Sequence, residues 1–267
     1  MGQVPAKVVD RLVTGLKRFQ PVLHSAKARD VNESDTSIIV TDMLSELFGY
    51  EKYSEITREH CIRGTFCDLA IKLEGKLQVL IEVKAAGLDL KDPHVKQAVD
   101  YAANQGVDWV ILTNGQLWKV FKVIFGKPIN QELVMDIDLS SFNGRNTAHI
   151  EALYNLTREG LAKGALPAYQ IQQQATNKFF LSAVLMTDPV LDTIRRELRR
   201  LAPEARIKNE EIRASLMNDV LKREVVEGEK ADDARKKVQR TASRLLRTKQ
   251  KSAAEPDEAP AAQEAEA

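Results

Sequence analysis

The feature that most constrains the fold is the stretch from Thr65 to Lys84. It holds two runs rich in apolar residues, separated by the polar triplet at 74–76, and this pattern is typical of two strands joined by a tight turn. Successive side chains on a strand point to opposite faces. Glu82 and Lys84 are therefore expected on one face, with Asp68 beside them on the neighbouring strand. The sequence predicts an aspartate, a glutamate and a lysine converging at one end of a small sheet.

Such a cluster of charges is costly in an apolar strand end unless the charges are paired or hold an ion. Two facing carboxylates suit a hard divalent cation such as Mg²⁺, which takes oxygen ligands and keeps several waters. A bound cation can stabilise charge on a phosphoryl oxygen and make a water more nucleophilic. The lysine could orient or deprotonate that water, or stabilise the transition state.

An aspartate, thirteen further residues and then Glu-Val-Lys across a hairpin resemble the PD-(D/E)xK nuclease superfamily. Residues from about 32 to 123 look like the nuclease domain at the N-terminus of type I restriction enzyme motor subunits. The first helix of that domain is matched by Asn32, Glu33 and the residues that follow. Gln97 and Tyr101 match a Gln-x-x-x-Tyr motif found in some branches. Cys67 stands where the superfamily name has proline, a position that does not itself do the chemistry.

The resemblance implies a restriction-endonuclease-like α/β fold with a mixed sheet flanked by helices, and a metal-dependent nuclease that hydrolyses DNA. It implies Mg²⁺, with Mn²⁺ as a substitute, held by Asp68, Glu82 and Glu33. Lys84 would act on the attacking water, and Gln97 and Tyr101 would support it. At the start of a helix a carboxylate also complements the helix dipole, and the resemblance favours the site role for Glu33.

Two other interpretations stay open at this stage. The hairpin could be a surface edge carrying an ordinary ion pair between Glu82 and Lys84. Alternatively, the fold could serve as a non-cleaving DNA-binding, regulatory or assembly module that acts with a partner protein. No G-x-x-x-x-G-K-[ST] phosphate-binding loop occurs in the sequence, so this chain is not expected to translocate DNA by itself.

The remaining pattern of the first half predicts alternating helices and strands. Helices are expected at 7–20, from about 32 to 48 and at 93–105, and strands at 108–113, 116–123 and 131–137. The helix between the hairpin and the next strand predicts a parallel crossover. Asn114-Gly115 predicts a type I′ hairpin turn.

The predicted domains are a nuclease domain at 1–145, a helical region at 146–250 and a disordered acidic tail at 251–267. The tail has a low-complexity, acidic composition without apolar anchors. The helical region contains four arginines between Arg195 and Arg200, which could contact DNA or form a solvated face. The helical region could also form a homodimer interface or bind a separate protein subunit.

Composition excludes some classes of protein. The net charge is +1, but from Ser252 onward there are five acidic and no basic residues, so residues 1–251 carry +6. No segment has the apolar length of a signal peptide core or a membrane span. The two cysteines, Cys61 and Cys67, form no disulfide framework and are expected to be buried thiols. We expect a cytoplasmic protein without a membrane partner.

Overall fold

The computed structural model describes residues 3–62 and 65–252. The predicted tail beyond residue 252 therefore lies outside the described residues. The chain divides into two compact units, residues 1–170 and residues 171–267. Among the described residues, no helix combines the length and apolar character needed to span a membrane.

The first unit is built on one six-stranded mixed sheet with strand order β1-β2-β3-β4-β5-β6. All neighbouring strands are antiparallel except β3 and β4, which are parallel and joined through α3, as the crossover prediction requires. The elements of this unit are α1 (Ala6–Ala28), α2 (Glu33–Glu46), β1 (Ile56–Ile62), β2 (Thr65–Leu73), β3 (Lys76–Val83), α3 (Asp92–Gln105), β4 (Trp109–Thr113), β5 (Leu117–Ile124), β6 (Asn130–Asp138), a 3₁₀ turn (Leu139–Ser141), α4 (Thr147–Tyr154) and α5 (Arg158–Ala162).

Strand alternation separates two apolar layers, one on each face of the sheet. Leu69 and Ile81 point into the larger layer, which also takes the buried faces of α1 and α2. Ala70 and Leu80 point into the smaller layer, which is covered by α3. These assignments confirm the predicted fold class and the predicted faces of the hairpin.

Two local predictions need correction. The β4–β5 hairpin forms, but its turn is not type I′, because φ is positive at Gly115 and not at Asn114. The Asn114 side chain instead accepts hydrogen bonds from the Gln116 N–H at 3.1 Å and the Leu117 N–H at 2.8 Å. The turn is therefore centred one residue later, with glycine in its first central position, as in type II′ turns. The first helix was predicted to end at residue 20, yet it continues through Pro21 to Ala28.

The first unit continues past residue 145. The hydroxyl of Tyr50 donates to the carbonyl of Leu156 at 2.9 Å, and Arg158 donates to both carboxylate oxygens of Glu55 at 2.8 and 2.9 Å. Two helices that the sequence analysis assigned to the helical region thus pack beside the sheet. The boundary at 145 stays a prediction of domain organisation, while the compact unit that contains the sheet extends to Gln170.

The second unit is all-helical in its described part, as predicted for the helical region. Its helices are short, and the side chain of Asn177 accepts a hydrogen bond from the Phe180 N–H and so caps a new helix. The helices are α6 (Ala165–Thr176, which crosses the unit boundary), α7 (Lys178–Leu185), α8 (Asp188–Leu201), α9 (Asn209–Ser215), a π-helical turn (Leu216–Val220), α10 (Arg223–Val226) and α11 (Glu229–Ser252).

Candidate active site

The hairpin brings two carboxylates together at the end of β2 and β3. The antiparallel register pairs Leu69 with Ile81 and Ala70 with Leu80, so the next position places Asp68 opposite Glu82. The Oδ2 atom of Asp68 accepts a hydrogen bond from the backbone N–H of Val83 at 2.7 Å. The aspartate is therefore tied to the strand that carries the glutamate.

Lys84 bridges two carboxylates that are far apart in sequence. Its Nζ atom donates to Oε1 of Glu82 at 2.8 Å and to Oε2 of Glu33 at 3.2 Å. The side chains of Glu82 and Lys84 are only 12% and 15% exposed, whereas that of Glu33 is 50% exposed. The inner pair is thus largely desolvated, and the outer carboxylate faces water.

Local structure fixes the three positions. Lys84 directly follows β3, and its backbone N–H donates to the carbonyl of Thr113 at 2.8 Å. Glu33 opens α2, whose N-terminus is capped by Asn32, as predicted. The helix start is held near the sheet by a hydrogen bond from the Ala86 N–H to the carbonyl of Val31 at 3.0 Å.

The charges perturb each other in the expected directions. Burial raises the pKa of Glu82, the neighbouring charge of Asp68 raises it further, and the hydrogen bond from Lys84 opposes both. Burial alone would lower the pKa of Lys84, but its hydrogen bond with Glu82 and the charges of Glu82 and Glu33 outweigh burial and raise that pKa. Lys84 is therefore a protonated ammonium at neutral pH.

Two other predicted residues lie on α3. Tyr101 is buried at 4% exposure in the smaller apolar layer. Gln97, one turn earlier, is exposed to solvent. The helix therefore places the tyrosine in the smaller apolar layer and the glutamine on a solvent-exposed surface.

Cys67 is buried at 1% exposure beside the site, as the sequence suggested. Its thiol donates to the carbonyl of Ile81 at 3.1 Å. Burial raises the pKa of the Cys67 thiol to about 12, and the charges of Glu82 and Asp68 add to the effect. It is a packed, protonated thiol. The side chain of Cys61 lies outside the described residues.

Sequence reasoning missed the residues that hold the loop behind Lys84. The side-chain amide of Asn114 donates to the carbonyl of Leu88 at 2.9 Å. Gly87 approaches Asp30 so closely that an added Cβ atom would lie 2.5 Å from its carboxylate oxygen. Asparagine after a buried strand was a visible signal, but it was interpreted only as a turn former.

The predicted metal ligands Asp68, Glu82 and Glu33 form a set of three carboxylates. In the part of the chain that the structure describes, no group of three or more histidine, cysteine, aspartate or glutamate side chains is arranged to hold a metal ion. Asp68 and Glu82 are neighbours, and Glu33 reaches them through the ammonium of Lys84. The chemistry of the set still suits a hard divalent cation, because all three donors are carboxylates.

One segment of the chain resembles a known protein family. Residues 40–136, just over a third of the chain, match the family described as the type I restriction enzyme R protein N terminus. The match confirms the resemblance and contains every candidate site residue except Glu33. No curated protein and no solved structure matched the chain.

Proposed function

We propose that the chain is a metal-dependent nuclease that hydrolyses DNA phosphodiester bonds. The observation that carries the proposal is the convergence of Asp68, Glu82 and Lys84 at one hairpin end, inside the segment that matches a restriction enzyme family. Burial raises the pKa of Glu82, and the charge of the adjacent Asp68 carboxylate adds to this effect. Perturbed groups of this kind cluster at functional sites.

The proposed cofactor is Mg²⁺, with Mn²⁺ as a substitute, held by Asp68, Glu82 and Glu33. When bound, the ion would polarise a phosphoryl oxygen and lower the pKa of a coordinated water. With all groups ionised, the three carboxylates and the ammonium of Lys84 sum to −2. The local charge therefore matches a divalent cation.

Lys84 acts in this proposal as a cation. Its pKa is raised, so at neutral pH the ammonium has no free lone pair with which to accept a proton. Of the roles open from sequence, orientation of the attacking water and stabilisation of the charged transition state are favoured over general base catalysis. Gln97 lies on an exposed surface that can meet the DNA backbone, and Tyr101 supports the sheet end from below.

The test is cleavage of plasmid and linear DNA by the purified full chain with Mg²⁺ or Mn²⁺, against EDTA. Asp68→Asn, Glu82→Gln and Lys84→Ala should each reduce cleavage by at least 10²-fold, on the scale of a lost electrostatic catalytic group. Asp89→Asn and Lys76→Ala are matched controls, because both side chains are exposed near the hairpin. Cutting that survives in the site variants contradicts the proposal.

A non-cleaving DNA-binding or assembly module is the second candidate. It is favoured by the ion pairs that Lys84 makes with two of the three carboxylates, since these pairs satisfy the charges without a metal. This candidate predicts DNA binding without metal-dependent cutting of duplex, single-stranded or modified DNA. It also predicts that Lys84→Ala leaves DNA affinity unchanged.

A further inference from the structure

The basic residues of the chain are concentrated in the second unit. Residues 1–170 contain 20 basic and 21 acidic residues, for a net charge of −1. Residues 171–252 contain 19 basic and 12 acidic residues, for a net charge of +7, and residues 253–267 carry −5. The unit with the candidate active site thus has no excess positive charge with which to attract a polyanion.

Most of the excess lies on α11. From Arg235 to Ser252 the sequence has eight basic and no acidic residues. The helix buries Ala231 and Ala234 and packs on α7. On its other side Lys236 and Arg240 are exposed at a spacing of one helical turn. The sequence continues the spacing of three and four residues at positions 244, 247 and 251.

On the exposed face of α11, Lys236 and Arg240 are less neutralised than Arg195 and Arg200 of α8. On α8, Arg195 pairs with Asp192 at 2.8 Å, and Arg200 pairs with Glu197 at 3.1 Å. On α11, Lys236 lies 3.8 Å from Asp233, at the limit of an ion pair. Within the described residues Arg240 makes no ion pair. A polyanion can bind exposed cations that lack a tight ion pair without first breaking such a pair.

We propose that the basic face of α11 binds the phosphate backbone of duplex DNA. A helix rises about 1.5 Å per residue, so positions 236 to 251 extend over roughly 22 Å. Duplex DNA carries one charge per about 1.7 Å of its axis, so a row of cations of this length can contact several phosphates. The choice of DNA among polyanions rests on the proposed function.

An anionic membrane surface fits this helix less well. Membrane-surface helices need an apolar face with large side chains to insert between the lipids. The described buried side of α11 presents the small residues Ala231 and Ala234, and it is covered by α7. Residues 235–252 contain no aromatic residue. The exposed side therefore offers charge without an insertion surface.

The test measures DNA affinity of the full chain as a function of salt, by fluorescence anisotropy with a labelled duplex in EDTA. The variant K236Q/K237Q/R240Q removes three exposed cations of α11. Each lost phosphate contact reduces the magnitude of the negative slope of log K against log salt by about 0.9. For three contacts that magnitude should fall by about 2.7, and the DNA affinity at 0.1 M salt should fall by at least about 10²-fold. The control R195Q/R196Q/R200Q removes the same charge from α8.

The outcomes separate this proposal from the proposed function. Salt plots that are unchanged by the α11 variant, or a larger effect of the α8 control, overturn it. Duplex RNA that displaces the DNA at lower concentration, or tighter binding to vesicles with anionic lipid, assigns the surface to another partner and also overturns it. Lys76→Ala, at an exposed lysine of the first unit, should keep the wild-type slope. If the α11 variant loses DNA affinity and the wild-type protein never cuts DNA, the result supports DNA binding by α11 and contradicts the proposed nuclease activity.

Discussion

Replacing Lys84 with methionine should destabilise the protein in a strongly pH-dependent way. The change keeps the length of the side chain but removes the cation 2.8 Å from Glu82, a carboxylate whose side chain is 12% exposed. The unpaired carboxylate can stay charged at a high desolvation cost, or it can take up a proton. The pKa of Glu82, already raised by burial, will rise further in the variant.

Proton uptake sets an upper limit on the cost. An unfolded glutamate has a pKa of about 4.3, and one pKa unit corresponds to about 1.36 kcal/mol, so neutralising Glu82 costs at most about 3.7 kcal/mol at pH 7 and about 1 kcal/mol at pH 5. The sign follows from linkage: a folded state with a raised carboxyl pKa binds more protons than the unfolded state, so its stability falls as pH rises through that window. The raised pKa of Lys84 contributes only at alkaline pH, above this range.

Urea unfolding in EDTA at pH 5 and pH 7 measures the effect. The free energy of unfolding of Lys84→Met should fall by about 2–3.5 kcal/mol at pH 7 and by about 1 kcal/mol or less at pH 5. Lys76→Met, at an exposed turn of the same hairpin, should change it by less than about 0.5 kcal/mol at both pH values. An equal loss at both pH values would refute the argument, because the cost would then come from packing.

Three further predictions concern stability and reactivity. The double variant Glu82→Gln/Lys84→Met removes both charges and should restore at least wild-type stability in thermal melts while abolishing cleavage; a loss as large as that of the single variant would contradict it. Glu55→Gln should lower the free energy of unfolding by about 1–2 kcal/mol in urea, because both carboxylate oxygens of the buried Glu55 accept from Nε of Arg158, whose side chain is 45% exposed and keeps part of its hydration. No loss would mean that the pair is incidental. With the other cysteine replaced by serine, Cys67 should resist alkylation at pH 8 until denaturant is added, since its pKa is raised to about 12; rapid labelling of the native protein would contradict this.

The sheet end of the site could be predicted from sequence because its logic is local. Alternation along each strand decides which of its side chains share a face. The register that places Asp68 opposite Glu82 also needs a one-residue shift between Ile71 and Lys72, for which the sequence gives no signal. The same alternation decides which residues of each strand lie in the larger and which in the smaller apolar layer. The predicted faces of the two hairpin strands and the predicted parallel crossover through α3 were therefore correct.

The bridging role of Lys84 could not be predicted in the same way. Its second partner, Glu33, is 51 residues away and reaches the ammonium because α2 packs on the sheet. The tertiary hydrogen bond between Ala86 and Val31 that fixes this approach leaves no periodic signal in the sequence. The error at Asn114 has a related cause, since side-chain hydrogen bonds moved the turn by one residue.

The distribution of charge along the chain links the two proposals. The ionised side chains of the candidate site carry a net charge of −2, and the first unit carries a net charge of −1. These carboxylates would therefore repel a phosphodiester. Two things can reverse that repulsion: a divalent cation at the site and positive charge elsewhere on the chain. The proposed cation would account for a site in which three carboxylates surround one ammonium. The proposed DNA contact would account for the net charge of +7 on residues 171–252. Hairpin variants should therefore lose cutting while they keep DNA affinity, whereas α11 variants should lose DNA affinity and cut more slowly only because less DNA is bound.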